Sequence, residues 1–138
     1  IGAINSKIQL DKIKMYVDIG QKEGGSIFQS PCSLPKMGYW HAPPLFTDVS
    51  QSHRIVQEEI FGPVLAIQTF RTVDEVIMKA NNTPYGLSGG VWTDKGSKIF
   101  SLSKKIRAGV IWANTFNKFD PSAPFALCQP GVRNWINE

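Results

Sequence analysis

No run in this chain approaches the roughly 20 consecutive apolar residues that a helix needs to cross a bilayer. The opening Ile1-Gly2-Ala3-Ile4-Asn5 has neither a charged lead nor a cleavable apolar segment. No membrane targeting is therefore expected, and the missing initiator Met fits a piece of something longer. Cysteine is scarce. Cys32 and Cys128 lie far apart, with no CxxC pair and no histidine at zinc spacing, so a metal site is not expected and a reduced cytoplasmic or organellar-matrix setting fits best. Clustered positive charge is scarce too. The net charge of +4 comes from lysines and arginines spread along the chain, and only Lys104, Lys105 and Arg107 group closely. That trio reads as cations complementing a helix C-terminus. Without aromatics interleaved among clustered cations, a nucleic-acid binder ranks last.

What is present describes a globular chain. Hydrophobic residues at 42% and charged residues at 19% argue against wholesale disorder or a fibrous repeat, and 138 residues amount to one domain. The most informative segment is Glu58-Glu59-Ile60-Phe61-Gly62-Pro63-Val64, an acidic pair, an aromatic ring and a Gly-Pro bend running into the apolar Val64-Leu65-Ala66-Ile67. A carboxylate and a phenyl ring held side by side on a stiff bend suit a pair of sugar hydroxyls and a flat heterocycle, which points towards a nucleotide cofactor. On residue type alone, Glu59 also reads as a solvated carboxylate at a helix end.

Ser6 with Gln9 forms a capping-box pattern, and Leu10, Ile13 and Val17 recur at helical spacing until Gly24-Gly25. Prolines interrupt residues 26–49, leaving Ser26-Ile27-Phe28 and Pro44-Leu45-Phe46 to pair as short edge strands. A brief helix is expected over 51–58. From Val64 the pattern is β-α-β-α-β: a strand over 64–70, a helix capped by Thr72 and Glu75 with Val73, Val76, Ile77 and Ala80 on one face, and a strand over 87–93. A helix with Ile99, Leu102, Ser103 and Ile106 inward and the strand Val110-Ile111-Trp112 follow. This alternation predicts an α/β fold with three layers, a mostly parallel sheet flanked by helices. The aromatic stretch after Asn114, which carries Phe116, Phe119 and Phe125, either lines an apolar pocket or caps the core.

Four ordered motifs resemble the aldehyde dehydrogenase superfamily. They are Gly38-Tyr39-Trp40 with Pro43, the bend over 58–64, Ala80-Asn81-Asn82-Thr83-Pro84-Tyr85-Gly86-Leu87, and Ala108-Gly109-Val110-Ile111-Trp112-Ala113-Asn114. The likeness covers roughly residues 7–125 and corresponds to the latter part of the family's catalytic domain, so residues 1–125 read as that part and residues 126–138 as a divergent tail. The resemblance implies that Glu59 accepts hydrogen bonds from the nicotinamide ribose of NAD or NADP and that Phe61 packs beside the nicotinamide. It also implies that Phe119 and Phe125 line the tunnel for an aldehyde substrate. Trp112 and Tyr85 are expected in the core. The family oxidises aldehydes through a cysteine thiolate and a glutamate base, and both precede the matched region. No catalytic residue is therefore expected here: Cys32, in Ser30-Pro31-Cys32-Ser33, does not match the nucleophile motif, Cys128 has no motif, and His53 reads as an exposed polar residue.

After Phe125 the family continues Gly-Gly-x-Lys-x-Ser-Gly, whereas this chain reads Ala126-Leu127-Cys128-Gln129. A replaced end is expected, without the strand through which the family forms dimers or tetramers. Two readings follow: a truncated, inactive piece of an NAD(P)-dependent aldehyde dehydrogenase, or a non-catalytic protein pairing with a full-length dehydrogenase subunit through sheet edges and Trp135-Ile136.

Overall fold

The computed structural model describes residues 1–123, which fall into two compact units, one over residues 1–69 and one beginning at Phe70. In the first, helix α1 (Lys7–Lys22) starts where it should: Ser6 is extended, with φ −156° and ψ 162°, and its Oγ accepts the Gln9 N–H at 3.2 Å. It stops at Gly24, whose φ of 97° carries the chain out of the helix. Ile13, Tyr16 and Gly20 are its buried residues, while Leu10 and Val17 are half-buried. Strands β1 (Ser26–Gln29) and β2 (Pro44–Thr47) pair antiparallel with Ile27 opposite Phe46, as the proline spacing predicts.

The core of this unit is Ile13, Tyr16, Phe46, Ile55 and Ile60, with Ile13 and Phe46 fully buried. Burying each large side chain stabilises the fold by about 1.5–3 kcal/mol, so this cluster is its main support. A Cβ on Gly20 would lie 2.8 Å from Ile55 Cδ1 and 3.0 Å from Phe46 Cε1, so only glycine lets α1 come this close. The expected helix over 51–58 is a single turn, α2 (Arg54–Gln57).

The strand expected over 64–70 contracts to β3 (Leu65–Ala66), which pairs parallel with β2. The ladder runs β1-β2-β3, and a second ladder holds the later strands. Gly62-Pro63 precede β3, and just beyond it Ile67 N–H donates to the Phe46 carbonyl at 2.8 Å, which continues the pairing with β2 by one bond.

In the second unit, helix α3 (Val73–Asn81) begins at Thr72, whose hydroxyl accepts the Glu75 N–H at 3.1 Å. Strands β4 (Ser88–Val91) and β5 (Val110–Ala113) pair parallel, with helix α4 (Gly96–Ser103) between them in sequence. Val91 and Trp112 are buried. The expected inward face of α3 is not sealed, since none of its residues is buried and Val73 is 41% exposed. Tyr85, expected in the core, is instead 46% exposed.

Candidate functional site

The bend over residues 58–64 is built from both sides. At its start, Arg54 grips Glu58 with two charge-assisted hydrogen bonds, Nε to Oε1 at 2.6 Å and a terminal nitrogen to Oε2 at 2.9 Å, and the Tyr16 hydroxyl donates to Oε2 at 2.7 Å. The Arg54 fork first, and the Tyr16 hydroxyl second, lower the Glu58 pKa from its ordinary 4.5 to about 2. The same contacts raise the Arg54 and Tyr16 pKa values. Arg54 N–H also donates to the Glu23 carboxylate at 2.9 Å. Glu58 is thus an anchor, and the next residue, Glu59, stands exposed.

Beyond it, Ile60 turns into the core and Phe61 turns out, 76% exposed, with a left-handed φ of 55°. A phenylalanine in that region costs about 1–2 kcal/mol, so the surroundings must impose the conformation. Two contacts do so. The Gln9 side-chain NH2 donates to the Ile60 and Phe61 carbonyls, both at 2.9 Å. Gly62 lies against α1, where a Cβ would come within 2.5 Å of Ile13 Cγ1, so the chain can approach the helix only as glycine.

Phe119 belongs to the second unit. Asn114, with a left-handed φ of 52°, ends β5 and clamps Thr93 at the end of β4: its Oδ1 accepts the Thr93 N–H at 2.8 Å and its Nδ2 donates to the Thr93 carbonyl at 3.0 Å. The chain then folds back so that the Trp112 indole N–H donates to the Lys118 carbonyl at 3.1 Å. Phe116 and Phe119 meet Trp112 edge-on, with ring centroids 5.1 and 5.3 Å away. Of the two roles the sequence left open, the contact with Trp112 is the core-capping one, and the Phe119 ring remains 58% exposed. Phe125 lies outside the described residues, as do Cys128 and the 126–138 tail.

His53 is half-buried at the N-cap position of α2 rather than exposed, and its Nδ1 has no hydrogen-bond partner. Cys32 is exposed on its loop. A cavity of about 430 Å³ in the second unit is lined by Thr83, Tyr85, Leu87, Ser88 and Ile106 among others, and contains none of the expected site residues. Arg107 on its wall is spent on the Asn81 and Thr83 carbonyls, at 2.5 and 3.0 Å. Among the described residues no group of three or more His, Cys, Asp or Glu could hold a metal ion. The residues that sequence reasoning missed are Gln9, read only as half of a capping box, and the backbone clamps Asn81 and Asn114.

The chain matches the model of the aldehyde dehydrogenase family over residues 1–127. It is 41% identical over 126 residues to the cytosolic 10-formyltetrahydrofolate dehydrogenase of Xenopus tropicalis, covering 90% of this chain and 14% of that protein. Against an aldehyde dehydrogenase of Rhodospirillum rubrum it is 41% identical over 130 residues, covering 91% of this chain and 26% of the relative. Among solved structures, the NAD+ complex of an aldehyde dehydrogenase from Bacillus cereus superposes with a TM-score of 0.87 at 38% identity, covering 94% of this chain and 26% of that one. The NAD-dependent aldehyde dehydrogenase of Sinorhizobium meliloti gives 0.88 at 34% identity, with the same coverage. The chain thus spans about a quarter or less of the length of these relatives.

Proposed function

Since the chain belongs to the aldehyde dehydrogenase family, we propose that it is a partial or truncated form of an NAD(P)-dependent aldehyde dehydrogenase that contributes cofactor and substrate contacts but does not turn over alone. The observation that carries this reading is the bend: Glu59 and Phe61, two residues apart, are both exposed on a segment whose backbone is fixed by Gln9, Gly62 and the Glu58 anchor. An ionised carboxylate has lone pairs enough for both hydroxyls of a nicotinamide ribose, and an exposed ring offers a flat apolar face to the nicotinamide. The residues therefore fit the cofactor, which when bound accepts the hydride of aldehyde oxidation. Phe119, and Phe125 by motif, would form apolar wall for the aldehyde.

Cys32 lies on an exposed loop, and its surroundings Ser30-Pro31-Cys32-Ser33 do not match the family's nucleophile motif. Purified chain mixed with NAD+ or NADP+ and a panel of short, fatty and aromatic aldehydes should produce no reduced cofactor at 340 nm. Sustained production would overturn the reading.

A second reading, pairing with a full-length dehydrogenase subunit, is favoured by the exposed apolar side chains Phe70, Met78, Leu87, Trp92 and Phe100. Co-expression with a full-length family member separates the two: stable co-purification supports the partner role, and independent elution supports a fragment only.

A further inference from the structure

We propose that Gln9 is a positioning residue that holds Phe61 in its outward, left-handed state by bridging two successive carbonyls with one amide group. Along an extended segment consecutive carbonyls point to opposite sides. The left-handed φ at Phe61 brings the Ile60 and Phe61 carbonyls round to a single NH2, with both contacts at 2.9 Å. A carboxamide is the neutral side-chain group with two hydrogens on one nitrogen and no charge to desolvate, and Gln9 presents it from the first turn of α1, 51 and 52 residues away in sequence. Its other expected use, reaching back to the helix start to complete the capping box, is given up: only the Gln9 backbone N–H serves the cap. Gly62 pressed on Ile13 seats the bend on the same helix but donates nothing to the two carbonyls. Gln9 thereby sets the direction of the Phe61 ring and, through the shared backbone, of Glu59. That this direction serves a nicotinamide cofactor rests on the function proposed above.

The test uses the full 138-residue chain and amide hydrogen exchange read by NMR. Val64 N–H, which donates to the Gly62 carbonyl at 2.8 Å, reports the bend, and amides in the middle of α1 report the helix. Gln9→Leu keeps the bulk and removes both donors. The loss of two hydrogen bonds should accelerate Val64 exchange by about tenfold or more while mid-α1 amides change less than about twofold. Equal Val64 protection in the two proteins, with α1 intact, overturns the proposal. Gln9→Glu covers the case in which Gln9→Leu loosens the whole unit. Ionised, it has no donor; protonated below about pH 4, it regains one. Loss of intrinsic-rate-corrected protection confined to the bend at neutral pH, and smaller on acidification towards about pH 4, supports positioning. Loss spread over α1 at every pH overturns it. Separate addition of NAD+ to the unsubstituted chain addresses the cofactor reading alone: shifted Phe61 ring resonances support it and unshifted ones count against it, with the Gln9 result unaffected.

Discussion

At the scale of single residues, the adjacent carboxylates Glu58 and Glu59 divide anchoring from presentation. Glu58 gives its oxygens to Arg54 and Tyr16, which ties α1, α2 and the bend together, and Glu59 follows on the exposed side. The pH dependence of this anchor has a definite sign. The folded-state pKa of about 2 lies below the ordinary 4.5, so Glu58 adds stability that is fully present above about pH 4.5 and is lost as pH falls towards 2. Because the group is solvent-accessible, the effect is screened by salt. Thermal melting of the chain and of Glu58→Gln should therefore show a midpoint gap at pH 7 that closes between pH 4.5 and 2 and narrows in high salt. A gap that is constant across that range would mean the Arg54–Glu58 contact does not stabilise the fold.

At the scale of elements, two asparagines do what longer strands would otherwise do. Asn114 extends the short β4–β5 pairing by one more rung through its side chain, and its left-handed backbone turns the chain into the Phe116–Phe119 loop. Asn81 accepts Arg107 N–H at 2.7 Å and donates to the Lys105 carbonyl at 2.8 Å, pinning the approach to β5. Asn114→Ala removes two hydrogen bonds and leaves alanine in the left-handed region, a loss of about 2–3 kcal/mol in all. Urea unfolding should register that loss, and Trp112 fluorescence should shift red as its edge-on partners Phe116 and Phe119 loosen. An unchanged midpoint would show that the clamp is redundant. The helix starts at Ser6 and Thr72 and the pairing of 26–29 with 44–47 were legible in the sequence, because caps and proline boundaries act over a few residues. The parallel β4–β5 pair followed from alternation. Three features were not legible. Gln9 satisfies a local capping pattern as well as a contact 51 residues away, and the sequence advertises only the first. Phenylalanine gives no sign of the left-handed conformation it takes at position 61, since that region is signalled by Gly, Asn or Asp. The pairing of β3 with β2 was not specified, because a two-residue strand has too little pattern to select a partner.

At the scale of the whole molecule, the two units are unequally supported. The first holds five buried hydrophobic residues in one cluster, and Ile4, Val17, Ile27, Val49, Val56 and Val64 pack against it. In the second, Val91 and Trp112 are the buried hydrophobics among the described residues, while Phe70, Met78, Trp92 and Phe100 are more than half exposed. A unit of this size is marginal even with a complete core, because so small a chain buries only about 60% of its unfolded surface. Local opening should therefore be more frequent in the second unit than in the first. Brief trypsin digestion, followed by mass mapping, should cut after Lys98 within α4 well before Lys14 within α1, although both lysines are exposed and both lie in helices. Cleavage at equal rates would mean that the second unit is as well supported as the first. If instead a full-length family member added to the digest protects the Lys98 site alone, the uncovered apolar side chains of the second unit are where it binds. Protection of both units to the same degree would point to a contact that does not depend on them.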